Sequence, residues 1–105
     1  MLEDALRDGV VILAPVVAAE LLSAPLPGAR RTELEAFLTD LELAPTPYEH
    51  WARVGRLRAS AGARGLALST PDAHVAQCAL DAGAVLLTRD RVFASLSRVV
   101  PLRLG

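Results

Sequence analysis

The sequence predicts an α/β fold in which a parallel sheet is flanked by helices in three layers (α/β/α), and three observations point there. Apolar runs of strand length at residues 10–14 and 84–87 have no polar face, as expected of strands buried on both sides in a parallel sheet. Helical stretches lie between the strand candidates, and that alternation implies right-handed crossovers. Hydrophobic residues make up 52% of the chain, charged residues 22% and aromatics only 4%, so the core must be built from Leu, Val and Ala. At 105 residues the chain is read as a single domain, residues 1–105, able to bury a core of its own.

Taken in order, residues 2–8 read as a short helix stopped by Gly9, which tolerates the left-handed conformation that ends helices. The strand at 10–14 leads to Pro15, whose missing N–H costs nothing in the first turn of a helix reaching Leu22. The breaker cluster Ser23-Ala-Pro-Leu-Pro-Gly separates it from a helix over 29–40, with Leu34, Phe37, Leu38 and Leu41 on one face. A short strand at 41–44 ends at Pro45. Thr46 is placed as N-cap and Pro47 at the first position of a helix running through Trp51, Val54 and Leu57 toward Gly62. After a loop of small residues holding Arg64 and Gly65, Thr70-Pro-Asp opens a helix to about Ala82 that Gly83 ends. A short helix at 90–96 follows the strand at 84–87, and a final edge strand at 99–104 is interrupted by Pro101.

The formal net charge is −1, from 11 Lys+Arg and 12 Asp+Glu, which excludes the broad basic field that drives indiscriminate nucleic-acid binding. The positive charge is arginine, as at Arg30-Arg31, Arg53, Arg56, Arg58 and Arg64. That side chain grips phosphate bidentately, although a GC-rich coding sequence produces the same bias. Cys78 is the only cysteine, so an internal disulfide is excluded; with no second thiol and no Cys/His cluster in view, a structural zinc site is not expected. Cys78 also falls within a buried helical pattern without an electropositive neighbour, which argues against nucleophilic thiol chemistry. No stretch approaches the roughly 20 apolar residues of a membrane span, and the chain is read as cytoplasmic.

Three acids stand at the edges of apolar elements: Glu20 in Pro15-Val-Val-Ala-Ala-Glu-Leu-Leu, Asp72 in Thr70-Pro-Asp-Ala-His-Val-Ala, and Asp90 in Val85-Leu-Leu-Thr-Arg-Asp-Arg. Carboxylates gathered beyond the ends of parallel strands make a hard-cation site, because Mg²⁺ or Mn²⁺ prefers oxygen ligands. The plainer reading of Asp72 and Asp90 is a helix N-terminal acid favoured by the macrodipole, and of Glu20 a solvated helix residue. His74 lies two residues after Asp72, about 200° around the helix, and is expected to point away from it in a structural or interfacial role. Tyr48, Trp51 and Phe37 are read as core or interface. The sequence holds no dinucleotide, P-loop or nucleophile-elbow motif.

The stretch Ser69-Thr-Pro-Asp-Ala-His-Val-Ala-Gln-Cys-Ala-Leu-Asp-Ala-Gly-Ala-Val-Leu-Leu-Thr-Arg-Asp-Arg-Val-Phe resembles the C-terminal signature of PIN-domain proteins, especially the VapC-type ribonuclease toxins of toxin–antitoxin pairs. Val10-Val-Ile-Leu-Ala-Pro-Val-Val-Ala-Ala-Glu-Leu-Leu resembles that family's strand and Glu-bearing helix more weakly. The resemblance implies a metal-dependent endoribonuclease using Mg²⁺ or Mn²⁺. Glu20, Asp72 and Asp90 would be the catalytic metal ligands, Thr88 would hydrogen-bond behind them, and Arg89 and Arg91 would meet RNA phosphate. It also implies a cognate antitoxin and a homodimer. Two departures stand out. The family's first strand, ending in Asp, is not found at the start of this sequence, where Asp4 and Asp8 follow no apolar strand, so the domain reads as N-terminally truncated; and Val92 stands where many relatives carry a further Asp. A catalytically inactive remnant that binds an antitoxin or dimerises is the alternative expectation.

Overall fold

The computed structural model describes residues 11–105, so the helix expected at 2–8, together with Asp4 and Asp8, lies outside the described residues. The chain divides into two compact units, Met1–Ala44 and Pro45–Gly105.

The described part of the first unit runs β1 (Ile12–Leu13), α1 (Pro15–Leu22), α2 (Gly28–Thr39) and β2 (Glu42–Leu43). β1 and β2 pair in parallel with Ile12 opposite Glu42 and Leu13 opposite Leu43, and the Ala44 N–H extends the ladder to the Leu13 carbonyl at 2.8 Å. Pro15 occupies the first turn of α1, as its fixed φ favours. Past the end of α1, the Arg31 guanidinium of α2 donates to the carbonyls of Leu22 at 2.6 Å and Ala24 at 2.7 Å, satisfying acceptors that the helix end leaves over. Of the apolar face expected on α2 only Leu38 is buried, whereas Phe37 is 48% exposed.

The second unit contains α3 (Tyr48–Ala63), α4 (Thr70–Ala82), β3 (Val85–Leu86), α5 (Arg91–Leu96) and β4 (Arg103–Leu104). Its core joins Val54, Leu57 and Ala61 of α3, Ala73, Ala76 and Ala79 of α4, and Leu68, Phe93, Leu96 and Leu102. The three alanines let α4 lie close against α3, which is how an aromatic-poor chain packs densely. α3 starts one residue later than expected: Pro47, not Thr46, is its N-cap, and no side chain caps it. At α4 the cap is Ser69, whose Oγ accepts the Asp72 N–H at 3.2 Å. Gly83 ends α4 with φ +61°, a left-handed conformation that costs glycine nothing.

β3 pairs in parallel with β4, Val85 opposite Arg103 and Leu86 opposite Leu104, and the Arg103 guanidinium reaches the Gly83 carbonyl. Pro101 stays outside the ladder, as its missing N–H requires. The strands are shorter and more open than expected, two residues each, with Ile12 36% and Val85 48% exposed. Each pairs with one neighbour within its unit, and a two-stranded ribbon cannot cover both faces of its apolar side chains. Among the described residues no helix is long and apolar enough to cross a membrane.

Candidate functional site

Asp72 and Asp90 both sit at helix N-termini in the second unit. Asp72 is in the first turn of α4, one turn past the Ser69 cap, and among the described residues no side chain or backbone N–H donates to its carboxylate. Asp90 is itself the N-cap of α5: its Oδ1 accepts the Val92 N–H at 3.2 Å, and among the described residues Oδ2 has no donor. Thr88 holds this turn by accepting the Asp90 N–H on its Oγ1 at 3.1 Å, so its hydroxyl serves the backbone here rather than a carboxylate. Arg89 and Arg91 are exposed on either side of Asp90. Glu20 is exposed on α1 in the first unit. Carboxylate oxygens left over in this way are hard donors, and they fit Mg²⁺ or Mn²⁺ rather than a thiophilic ion.

A second constellation, between α3 and α4, was not expected. His74, Cys78 and Asp81 follow one another at four and three residues, which places them along one stripe of α4. His50 meets them from α3: its Nε2 lies 2.8 Å from Nδ1 of His74, and its Nδ1 lies 2.9 Å from Oδ2 of Asp81. Cys78 Sγ stands 3.8 Å from the His74 ring nitrogens and 4.0 Å from His50 Nε2. Trp51 stacks on His74 with centroids 4.7 Å apart and planes 11° from parallel. His74 thus turns from Asp72 into the interior, as its angular position on the helix predicts. Of the core or interface positions expected for them, Trp51, at 44% exposure, Tyr48 and Phe37 do not take the core.

The electrostatics of this cluster centre on Asp81. Partial burial pushes its carboxyl up, but hydrogen bonds from Arg53, His50 and Gln77 outweigh that and hold it at about 2. Arg53 grips both oxygens, Nε to Oδ1 at 2.8 Å and Nη2 to Oδ2 at 3.0 Å, and Gln77 donates to Oδ1 at 2.8 Å. With Asp81 ionised, the His50 Nδ1–H donates to it, and Nε2 of His50 shares a hydrogen with Nδ1 of His74. Burial, reinforced by the neighbouring His50, lowers the His74 pKa. Burial, reinforced by Asp81, pushes the Cys78 thiol up to about 11, so it is no nucleophile as it stands. No local pattern marks this Cys/His cluster, because His50 is 24 residues from His74 and only the packing of two helices joins them. The legible trace was the stripe on α4, ending in an acid in the last helical turn, where the macrodipole disfavours it.

The described residues form a helix-rich α/β chain with two parallel strand pairs. The PIN domain family profile matches residues 2–99, and the chain belongs to that family. PIN domains are typically metal-dependent nucleases, and many are the toxins of toxin–antitoxin pairs. No curated protein matches the chain.

Proposed function

We propose that this chain is a VapC-type endoribonuclease toxin that hydrolyses RNA phosphodiester bonds in the cytoplasm, with Glu20, Asp72 and Asp90 as the ligands of Mg²⁺ or Mn²⁺. The observation that carries the reading is the pairing of family membership with the state of those acids: carboxylates at the N-termini of α4 and α5 whose oxygens the fold leaves largely unused. Asp81, by contrast, is taken up by Arg53, His50 and Gln77.

In this reading residues 1–105 act as one domain of the three-layer α/β/α kind. When bound, the cation supplies Lewis acidity and makes a water acidic enough to attack phosphorus at neutral pH. The chain's own residues orient the reactants. Thr88 fixes the backbone on which Asp90 is mounted, and Arg89 and Arg91 offer planar donor pairs to phosphate oxygens on either side of the scissile bond. A cognate antitoxin and a second toxin subunit are the proposed partners. A mainly apolar open groove of about 330 Å³ on the first unit, lined by Leu13, Ala18, Leu22, Leu38 and Leu43 together with Glu35 and Thr39, is the proposed seat of a partner segment.

The test is cleavage of mixed cellular and transfer RNA by the purified chain, with Mg²⁺ or Mn²⁺ against EDTA. Asp72→Asn and Asp90→Asn serve as controls, because asparagine caps a helix as well as aspartate and leaves α5 intact. Metal-dependent cleavage that falls at least about 100-fold in both variants is expected, more than loss of a supporting group costs. A folded chain that cuts nothing, or whose cutting ignores both substitutions, would refute the reading.

A further inference from the structure

We infer that His50, His74 and Cys78 form a binding site for a borderline-soft divalent cation of the zinc class, bridging α3 and α4. The inference does not depend on the nuclease reading, since none of its ligands is Glu20, Asp72 or Asp90.

One ligand atom from each of the three side chains lies within 4.8 Å of the other two, and all three residues are buried. A tetrahedral zinc with ordinary bond lengths sets two imidazole nitrogens about 3.3 Å apart and a sulfur about 3.6 Å from each. The corresponding separations here are 2.8 Å between the nitrogens and 3.8 and 4.0 Å to the sulfur. Opening the imidazole pair by about half an ångström, with a smaller inward shift of sulfur, therefore completes three corners of a tetrahedron. Water takes the fourth, as in zinc sites with three protein ligands.

The surroundings are those a zinc-bound histidine requires. The far nitrogen of His50 is tied to the Asp81 carboxylate, which Arg53 and Gln77 hold in place in turn, so the ring is fixed with Nε2 aimed at the cluster. His74 and Cys78, four residues apart on α4, present their donors side by side. The donor set of one sulfur and two nitrogens selects zinc or cobalt over magnesium.

On binding, the metal replaces the hydrogen between the two imidazoles. His50 keeps its proton on Nδ1 toward Asp81, His74 carries its own on the ring nitrogen not bound to metal, and Cys78 releases its thiol proton to solvent. All three new bonds use donor lone pairs, and nothing is oxidised or reduced.

Co²⁺ is the probe, because its bond to a thiolate gives an intense near-ultraviolet charge-transfer band and a tetrahedral site gives strong visible bands. The chain, stripped with EDTA and dialysed, is titrated with Co²⁺ while circular dichroism reports its fold. Both bands are expected to saturate at one Co²⁺ per chain and to vanish on adding Zn²⁺. Since the chain holds 1 Cys, any thiolate band originates at Cys78, so the unaltered protein decides the matter even if variants fold poorly. Cys78→Ser should abolish the charge-transfer band and His74→Gln weaken binding at least tenfold, whereas Asp72→Asn and Asp90→Asn should change neither. A folded chain that takes up Co²⁺ without a thiolate band overturns the inference. So does a band whose intensity per chain grows with chain concentration, as bridging between molecules would produce.

Discussion

Replacing Asp81 by asparagine removes one charge and one acceptor atom from the centre of the α3–α4 contact. The carboxylate accepts from Arg53 Nε and Gln77 on Oδ1, and from His50 Nδ1 and Arg53 Nη2 on Oδ2. An asparagine offers one oxygen, so whichever way its amide turns, its NH₂ confronts one of these donor pairs. The carboxyl sits at about 2 instead of an ordinary aspartate's 3.8. At about 1.4 kcal/mol per unit, and discounted for solvent screening, that is about 1–2 kcal/mol in favour of the fold. The discount is needed because the side chain is 24% exposed.

Because the folded-state pKa is depressed, this contribution is complete above 3.8 and is lost as pH falls toward about 2, where the native carboxyl also protonates. Asp81→Asn should therefore lower Tm by roughly 5–15 °C near neutral pH. Equilibrium urea unfolding of both chains in EDTA buffers, stepped downward in pH, should show the gap closing between about 4 and about 2. A variant as stable as its parent at neutral pH, or a gap unchanged at the acid end, would refute the assignment of Asp81 as the anchor of the cluster.

Leu96 is 0% exposed in the core of the second unit, so Leu96→Ala should cost about 2–5 kcal/mol by urea unfolding. Gly83→Ala should cost about 1–2 kcal/mol from backbone strain alone, because φ is +61° and a Cβ there meets nothing within 4 Å; a Gly83→Asn chain should lose less. The His74 ring should titrate below 6.5 in a proton NMR series. Its folded pKa is lowered, so its contribution to stability is intact above 6.5 and erodes as pH drops below that value, where the unfolded chain binds the proton first.

The helices were legible because their ends are marked chemically: Pro15 opens α1, Gly83 closes α4, and Asp90 caps α5. The order of strands and helices followed from the same punctuation, and so did the family signature from Ser69 to Phe93. Strand lengths and burial were not legible. An apolar run such as residues 10–14 records what a segment would prefer to bury, whereas the extent of the ladder depends on the neighbours it finds, and Ile12 is left 36% exposed. On α2, Phe37 lies on the apolar stripe yet faces solvent, because the stripe is wider than what packs on it. The acids of the proposed nuclease site came from their positions at element edges. The His50–His74–Cys78 cluster did not, because no local pattern joins a histidine to partners 24 and 28 residues away; only the facing of α3 and α4 does so.

A chain with 1 Cys, and that one sealed beneath two imidazoles, carries its own opening clock. An alkylating reagent reaches Cys78 only when α3 and α4 part, and the raised thiol pKa keeps the closed state unreactive besides. Alkylation rates under native conditions, followed by mass, then read the free energy of that separation directly when reclosing outpaces modification. No label or engineered residue has to be introduced, so the measurement extends unchanged from the purified protein to the chain inside a living cell.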